Sequence, residues 1–200
     1  NDEIPQIFLY AQLVLALNKN EGRYATAGSP QKFWAQWREM RDADAEVRSA
    51  INGPVRLEEH EKLFRGVFAY AKQAFEELAI QEREPTGQDR LVWSLCRPER
   101  LLELVHRFVL YDEGGTVKKI ARYQQYFAIR KTLERVRQRD PEGRRKGGVL
   151  WQTQGSGKSL VMVLLAKALA MDREILSPRI VIVTDRIDLD EQIWKTFHLC

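Results

Sequence analysis

The chain has 200 residues, 44% of them hydrophobic and 30% charged, and a formal net charge of +4, which is ordinary for one or two globular domains that need no disulfides. No apolar run reaches the roughly 20 residues of a membrane helix, the start lacks the basic segment of a signal peptide, and the mild positive charge permits a nucleic-acid partner without requiring one. The two cysteines and three histidines lack metal-ligand spacing, so no metal site is predicted at these residues. Because the cysteines form no disulfide framework and no membrane segment is found, the protein is predicted to be cytoplasmic and without membrane contact.

The N-terminal part mixes an apolar run with turn residues and aromatic side chains. Residues 4–17 are apolar and fit either a helix or a buried strand, because periodicity alone does not decide between them. Residues 18–30 are polar and contain glycine, which indicates a loop or a hairpin edge. Phe33, Trp34 and Trp37 lie at helical spacing, typical of a packed aromatic cluster.

Three amphipathic helical patterns follow. The first covers residues 56–82, and its predicted inner face is formed by Leu63, Val67, Tyr70, Ala71, Ala74, Phe75 and Leu78. The second begins at Pro98, which suits the first helical turn because its missing N–H costs nothing there. Its predicted buried stripe consists of Leu101, Leu102, Val105, Phe108 and Val109. The third covers residues 118–139, with Tyr126, Ile129, Leu133 and Val136 inward.

The hydrophobic period changes after a charged linker at residues 140–148. The sequence GVLWQ (148–152) predicts a short strand, and residues 158–171 predict a helix. The run RIVIVT (179–184) is rich in β-branched residues and suits a buried parallel strand, and residues 188–197 again favour a helix. Strand, helix, strand and helix in this order predict the beginning of an open parallel α/β sheet.

The stretch QTQGSGKS lies between the first predicted strand and its helix. Gly155 and Gly157 let backbone N–H groups approach an anion, and the helix start adds partial positive charge. In such a loop Lys158 reaches the outer phosphates of a nucleotide and the Ser159 hydroxyl binds Mg²⁺. Gln152 stands where the usual pattern G-x-x-x-x-G-K-[ST] has its first glycine, so the strict motif is not met. The alternative is a solvated turn.

Several segments resemble the motor subunit of type I restriction enzymes, a family of superfamily 2 DNA translocases joined to an endonuclease domain. The motor-like segments are KKIARYQQYFAIRKTLERV, GGVLWQTQGSGKSLVMVLLAKAL and RIVIVTDRIDLDEQI. In that family the Gln-Gly-Ser-Gly-Lys-Ser form of the loop is usual. The segment LVWSLCRPERLLELVHRFVLYDE resembles the helices before the motor, and IPQIFLYAQLVLALNKNEGRYATAGSPQKFWAQW resembles the tail of the nuclease domain. Residues 38–90 match least well.

The resemblance implies an α/β protein in three parts. Residues 1–40 correspond to the C-terminal tail of the endonuclease domain, residues 41–116 to a mainly helical connector, and residues 117–200 to the first part of a RecA-like P-loop NTPase domain. ATP and Mg²⁺ are the implied cofactors. Double-stranded DNA and the methylation and specificity subunits are the implied partners. The implied activity of the whole protein is ATP-dependent DNA translocation with endonucleolytic cleavage.

The resemblance also implies residue roles at the nucleotide. Cofactor binding falls on Thr153, Gln154, Gly155, Ser156, Gly157, Lys158 and Ser159, and Ser159 is the metal ligand. The segment ARYQQY resembles the family's adenine-recognising glutamine motif, in which either Gln124 or Gln125 bonds the base. Spacing to Ala128 slightly favours Gln125, and a polar helix face is the alternative.

Two further segments have an open interpretation. The stretch Thr184-Asp185-Arg186 resembles the family motif that meets the DNA backbone, and a phosphate contact by Arg186 suits its chemistry. A helix-capping turn is the alternative. The basic run Arg144-Arg145-Lys146 fits either a DNA contact or, more commonly, a solvated linker.

The chain is expected to carry no complete catalytic centre. ATP hydrolysis needs an acidic residue on a later strand, and no Asp-Glu pair follows a strand before Cys200. The family's metal-nuclease cluster has no match here either. The sequence is therefore interpreted as an internal fragment that is inactive alone. Another superfamily 2 helicase and a truncated, non-catalytic assembly module are the competing interpretations.

Overall fold

The computed structural model describes residues 5–8, 10–40, 42–112, 117–184 and 187–199. The strands in these ranges are β1 Val14–Leu17, β2 Gly22–Ala25, β3 Val109–Asp112 and β4 Val117–Ile120. The helices are α1 Asp44–Ile51, α2 Leu57–Leu63, α3 Lys72–Ala79, α4 Gly87–Leu95, α5 Pro98–Arg107, α6 Tyr123–Arg137, α7 Lys158–Ala170 and α8 Ile187–Leu199. Short 3₁₀ turns occupy Pro5–Phe8, Gln31–Phe33 and Gly66–Ala71. In this part of the chain no helix has the length and apolar character needed to cross a membrane.

Strands β1 and β2 form an antiparallel hairpin in which Val14 lies opposite Ala25. Its turn is held by Asn18, whose Oδ1 accepts hydrogen bonds from the backbone N–H groups of Asn20 (2.8 Å) and Glu21 (2.9 Å). Asparagine favours such turns because its side chain replaces a backbone acceptor. The strand alternative for the end of the apolar run and the hairpin edge after it are therefore confirmed.

The helical prediction for residues 56–82 is confirmed as α2 and α3, but the predicted buried face is wrong. Large members of that face are exposed, namely Leu63, Val67, Tyr70 and Leu78. The two helices are seven and eight residues long, and the interior between them is small. It contains His60, Phe64 and Phe75, with ring centroids 4.8–5.9 Å apart. The apolar residues do lie on one side of the helices, as the periodicity indicates. Burial of that side would need another layer of helices or strands packed against it.

Helix α5 begins at Pro98, as predicted. Leu104 and Phe108 are fully buried one helical turn apart, and Val109 follows them into the core. The predicted burial of Leu102 is wrong, because this side chain is exposed. Two residues correspond to about 200° of helix rotation, so Leu102 points away from the face that contains Leu104.

Helix α6 lies at the centre of the hydrophobic core. Its Tyr126, Ile129 and Leu133 are buried, as the sequence predicts, and Val136 packs partly against the same cluster. The cluster joins residues from the N-terminal segment, α4, α5, α6 and α7, including Tyr24, Trp37, Leu91, Leu95, Leu104, Phe108, Ala121, Val161, Leu164 and Ala168. Residues between 24 and 168 therefore contribute to one core.

Buried hydrogen bonds connect the hairpin to the chain just before α6. The Tyr24 hydroxyl donates to the carbonyl of Ala121 at 2.8 Å, and the Thr26 hydroxyl donates to the carbonyl of Lys118 at 2.5 Å. Burial raises the pKa of Tyr24, so the phenol stays protonated and remains a donor. These two hydrogen bonds fix the orientation of the hairpin relative to residues 118–121, which apolar packing alone does not do.

The two predicted strands of a parallel sheet do not form ladders. Both runs contain large exposed side chains, among them Val149, Trp151, Val181 and Val183. A strand exists only through hydrogen bonds to a neighbour, and no neighbour pairs with either run in the described ranges. The ladders observed there are the antiparallel pairs β1–β2 and β3–β4. The mixed α/β composition is confirmed, and the parallel sheet is not observed.

An ion pair joins the C-terminal ends of α6 and α7. Arg137 contacts both carboxylate oxygens of Asp172, from Nη2 at 2.6 Å and from Nε at 3.4 Å. The Asp172 carboxylate is inaccessible to solvent and also accepts the backbone N–H of Glu174 at 3.0 Å. The hydrogen bond from Arg137 lowers the pKa of Asp172.

We expect Asp172→Asn to lower the free energy of unfolding near neutral pH by about 1–3 kcal/mol. The pKa of Asp172 is lower in the folded protein than in the unfolded chain. Its stabilising contribution to the free energy of unfolding is therefore complete above the ordinary pKa of about 3.9, and it disappears as pH falls through the lower native pKa. Urea unfolding of both proteins at a series of pH values should show the difference narrowing below about pH 4. Glu61→Gln is the control, since Glu61 is exposed on α2 and forms no ion pair within the described residues. A difference independent of pH would contradict the assignment.

Candidate nucleotide site

The loop before α7 is built on two glycines in left-handed conformation. Gly155 has φ of 75° and Gly157 has φ of 82°. Other residues rarely adopt this region, because Cβ crowds the following carbonyl. Between them, Ser156 closes a turn by donating to the carbonyl of Thr153, from the backbone N–H at 3.3 Å and from the hydroxyl at 2.8 Å. The loop therefore delivers the chain into α7 through a compact turn.

The start of α7 is suited to an anion. Gly157 is the N-cap, has no side chain to satisfy the first N–H groups, and accepts the first helical bond from Val161 at 3.1 Å. The first turn has no acidic residue, so the positive end of the helix dipole is not neutralised. Lys158 is exposed and pairs with no residue in the described ranges, while Ser159 is half-buried.

Gln125 connects this loop to α6. Its Nε2 donates to the carbonyl of Ser156 at 3.1 Å, and its Oε1 accepts the backbone N–H of Arg122 at 2.9 Å. The side chain is only 4% exposed. A Cβ placed on Gly157 would lie 2.8 Å from Nε2 of Gln125, so a larger residue there would displace this amide. The α6 start and the loop are thus held together by one buried amide.

A cleft of about 880 Å³ separates α6 from the loop and the segment before it. The α6 wall follows one helical face and contains Gln124, Phe127, Ala128, Lys131, Thr132 and Arg135. The opposite wall is the segment 148–156. The lining includes the cations Arg122, Lys131, Arg135 and Lys146, and no described carboxylate. The cleft is therefore electropositive and partly apolar, which suits a nucleotide better than a cation.

The predicted cofactor residues fall into three groups in this geometry. Gln124, Thr153, Gln154, Gly155 and Ser156 line the cleft. Gly157, Lys158 and Ser159 form the adjoining helix start. Gln125 does not line the cleft, and its buried side chain contacts the loop from α6. The sequence prediction missed Arg122, Lys131 and Arg135 as cleft cations. For Lys131 and Arg135, spacing from Gln124 and Ala128 along one helical face was the available signal, whereas Arg122 precedes the helix as its N-cap.

The remaining sequence predictions lie away from this cleft or outside the described residues. Arg186 belongs to the residues that the structure does not describe. Thr184 is described, and its hydroxyl lies 3.5 Å from a carboxylate oxygen of Asp190. Within the ranges given above, no group of three or more His, Cys, Asp or Glu side chains is placed to hold a metal ion.

The basic run before the cleft is largely engaged within the protein. Arg144 pairs with Asp140 at 2.9 Å, in the same turn. Arg145 donates to the carbonyl of Val136 at 3.0 Å, at the end of α6. Lys146 lines the cleft. Two of the three cations thus stabilise the turn that leads from α6 to the loop.

The family model described as SWI2/SNF2 ATPase matches residues 124–200, which include the loop and both helices around it. The endonuclease subunit of the type I restriction enzyme HindI from Haemophilus influenzae is 42% identical over 111 residues, covering 54% of this chain and 10% of that protein. The putative type I restriction enzyme MjaIXP endonuclease subunit from Methanocaldococcus jannaschii is 29% identical over 204 residues, covering 98% of this chain and 17% of that protein. No solved structure matches the chain.

The alignments with these relatives cover different shares of this chain and of the relatives themselves. The chain spans 10% to 17% of the length of the two relatives described above. The M. jannaschii alignment covers the hairpin and the helices after it as well as the loop, because it includes nearly the whole chain. The chain is thus similar to the endonuclease subunits of type I restriction enzymes, and its residues 124–200 are similar to the SWI2/SNF2 ATPases.

Proposed function

We propose that residues 152–159 and the start of α7 bind the phosphates of ATP in a DNA-translocating motor. The observation that carries this proposal is the pair of left-handed glycines directly before a helix whose first turn has no acidic residue. Nothing lies within 4 Å of a Cβ placed on Gly155, so the loop leaves space at that point. Free N–H groups at a helix start, together with a lysine that pairs with no described residue, suit a polyphosphate.

The roles of the loop residues follow from their chemistry. Backbone N–H groups of Gln154, Gly155 and Gly157 face the phosphates, and Lys158 neutralises the outer ones. Ser159 offers its hydroxyl to Mg²⁺. Mg²⁺ usually keeps several waters and binds through phosphate oxygens, so Ser159 would be one ligand among these. When bound, ATP supplies the free energy for movement along DNA.

The base of the nucleotide lies in the cleft beside the loop in this proposal. Phe127 and Ala128 provide apolar surface on the α6 wall, and Gln124 provides an exposed amide next to them. An amide matches the donor and acceptor edge of adenine. The cleft thus combines an apolar surface with a few polar groups, as nucleotide sites usually do.

In the whole protein we propose ATP-dependent translocation on double-stranded DNA with endonucleolytic cleavage, in the cytoplasm, together with methylation and specificity subunits. Residues 1–40 would end the endonuclease domain, residues 41–116 would connect it, and residues 117–200 would begin the RecA-like motor domain. The exposed apolar runs 148–152 and 179–184 support this, because they suit strands of a larger parallel sheet. Arg186 is the proposed contact to the DNA backbone.

Titration of the full chain with Mg·ATP by calorimetry tests the nucleotide site. We expect one molecule bound per chain, with competition by inorganic tripolyphosphate, because the contacts are mainly to phosphate. Absence of binding would overturn the nucleotide site and leave an assembly module as the better explanation. Movement on DNA is tested separately in the full-length subunit, by ATP-dependent displacement of a third strand from duplex DNA. ATP binding without displacement would refute the motor while leaving the nucleotide site intact.

A further inference from the structure

Residues 53–82, called the arm below, leave the protein core after α1 and return to it before α4. They include α2 and α3, and the structure describes every one of them. None of their side chains is buried, and none belongs to the hydrophobic core cluster or packs against it. The core resumes at Leu91 of α4, which is 4% exposed. The arm is therefore an excursion from the core.

The arm has a small interior of its own. The rings of His60, Phe64 and Phe75 meet there, and Nε2 of His60 lies 3.7 Å from the carboxylate of Glu76. Lys72 pairs with the same carboxylate at 3.9 Å. Helices of seven and eight residues are shorter than the roughly 12–15 residues that an isolated helix needs in water, so α2 and α3 depend on this interior. The arm is thus a small unit with little to stabilise it.

The two ends of the arm meet at the side chain of Asn52, the C-cap of α1. Its Nδ2 donates to the carbonyl of Arg83 at 3.0 Å, and its Oδ1 accepts the backbone N–H of Arg83 at 2.9 Å. The same Nδ2 donates to the carbonyl of Arg48 at 2.9 Å. The guanidinium of Arg48 also pairs with the carboxylate of Glu84. One amide therefore joins the end of α1 to the chain that leaves the arm.

Residues 83–87, called the clasp below, contact two further elements. The guanidinium of Arg83 donates to both carboxylate oxygens of Asp89 on α4, at 2.5 and 2.8 Å. The N–H of Gly87 donates to the carbonyl of Lys19 in the hairpin turn at 3.0 Å. A Cβ on Gly87 would lie 2.4 Å from a backbone oxygen of that turn, so the approach needs glycine. The clasp thus connects α1, α4 and the hairpin without any residue of the arm.

We propose that the arm and the core open as separate units, and that the clasp holds α1, α4 and the hairpin together when the arm is open. Cooperative units follow contiguous contacts, and the contacts of the core pass through Asn52 and the clasp. The arm then unfolds and refolds while the core stays folded. Neither unit boundary involves the loop before α7, so this holds whether or not ATP binds there.

Hydrogen exchange of the full chain, followed by mass spectrometry, tests the separation. We expect the amides of α2 and α3 to be at least about tenfold less protected than those of α4 and α6, relative to unfolded-chain rates, because the arm opens without the core. Low concentrations of urea should leave this difference in place. Equal protection in the arm and the core would show one cooperative unit and overturn the proposal.

A deletion tests the same boundary by stability. Replacing residues 54–81 by two glycines leaves four residues between Asn52 and Arg83, which span more than about 10 Å and so allow their hydrogen bonds to form. All five tryptophans lie outside the arm, so their fluorescence reports on the core. We expect the urea midpoint and the slope of the fluorescence transition to match those of the parent chain, because the slope follows the surface exposed in that transition.

Asn52→Ala tests the clasp in the otherwise complete chain. This change keeps the whole arm and removes the amide that joins α1 to Arg83. We expect the unfolding equilibrium constant of the core to rise by a factor of about 5–10, because several hydrogen bonds are lost. Asn20→Ala is the matched control, since Asn20 is exposed and its side chain bonds to no described residue. It should leave that constant unchanged.

The contrary results separate the two parts of the proposal. A lower midpoint or a smaller slope after the deletion would place the arm in the cooperative unit of the core and overturn its independence. An Asn52→Ala protein as stable as the parent chain would overturn the role of the clasp. If the deletion variant does not fold, the exchange rates of the unaltered chain decide whether the arm opens alone.

Discussion

Lys158→Ala is expected to weaken binding of Mg·ATP by roughly 10- to 100-fold, because a hydrogen bond to a charged group contributes about 1.5–3 kcal/mol. The thermal midpoint should not change, since Lys158 is exposed and makes no ion pair in the described part of the chain. The two effects together distinguish a ligand-binding lysine from a structural one. Calorimetric titration and thermal unfolding of the same preparations measure them.

Lys62→Ala is the matched control for this substitution. Lys62 is an exposed lysine on α2, so its removal changes the net charge by the same amount without altering the loop. We expect ATP affinity close to that of the parent protein in this variant. Equal ATP affinity for Lys158→Ala and the parent protein would refute the assignment of the loop. An equal loss in both variants would indicate a general charge effect instead.

Trp37→Ala should be the most destabilising of the substitutions considered, with a loss of about 3–5 kcal/mol in the free energy of unfolding. The indole packs between rings, with centroids 5.7 Å from Tyr24 and 5.3 Å from Tyr126. Its N–H donates to Glu39 at 3.0 Å, and Arg100 lies 5.4 Å from the ring. Removal of the indole would leave a cavity, and the ion pair between Arg100 and Glu39 would lose its contacts with the ring.

Urea unfolding measures this effect, with Trp194→Ala as the control. Trp194 lies on α8, is 62% exposed and stacks on His198. An exposed indole contributes much less than a buried one, so we expect a loss of less than about 1 kcal/mol. Similar losses for the two tryptophans would show that the aromatic cluster around α6 does not hold the hairpin in place.

The parts that sequence reasoning predicted well depend on local chemistry. The left-handed turn before α7 needs glycine at 155 and 157, and the sequence alone identifies both positions. The inner face of α6 follows from a 3.6-residue period that continues over four turns. Pro98 marks the start of α5 for the same kind of local reason.

The parts that failed depend on what packs against each element. Periodicity identified a face on α2 and α3, but burial of that face needs a partner layer. The run 179–184 has the composition of a buried strand, but a ladder needs hydrogen bonds from another strand. Whether Gln124 or Gln125 bonds the base stays a prediction. The structure shows only that Gln125 is buried and Gln124 is exposed.

The bond from the Tyr24 hydroxyl to the carbonyl of Ala121 bears on how far the chain can be trimmed. A shorter version that began at residue 117 would lose Tyr24 and Trp37, and would uncover both the Ala121 carbonyl and the ring of Tyr126. Such a piece would keep every residue of the nucleotide loop and yet lack one side of the helix on which the loop is held. The hairpin therefore supports the helix that carries the loop, although it precedes every residue that resembles a motor.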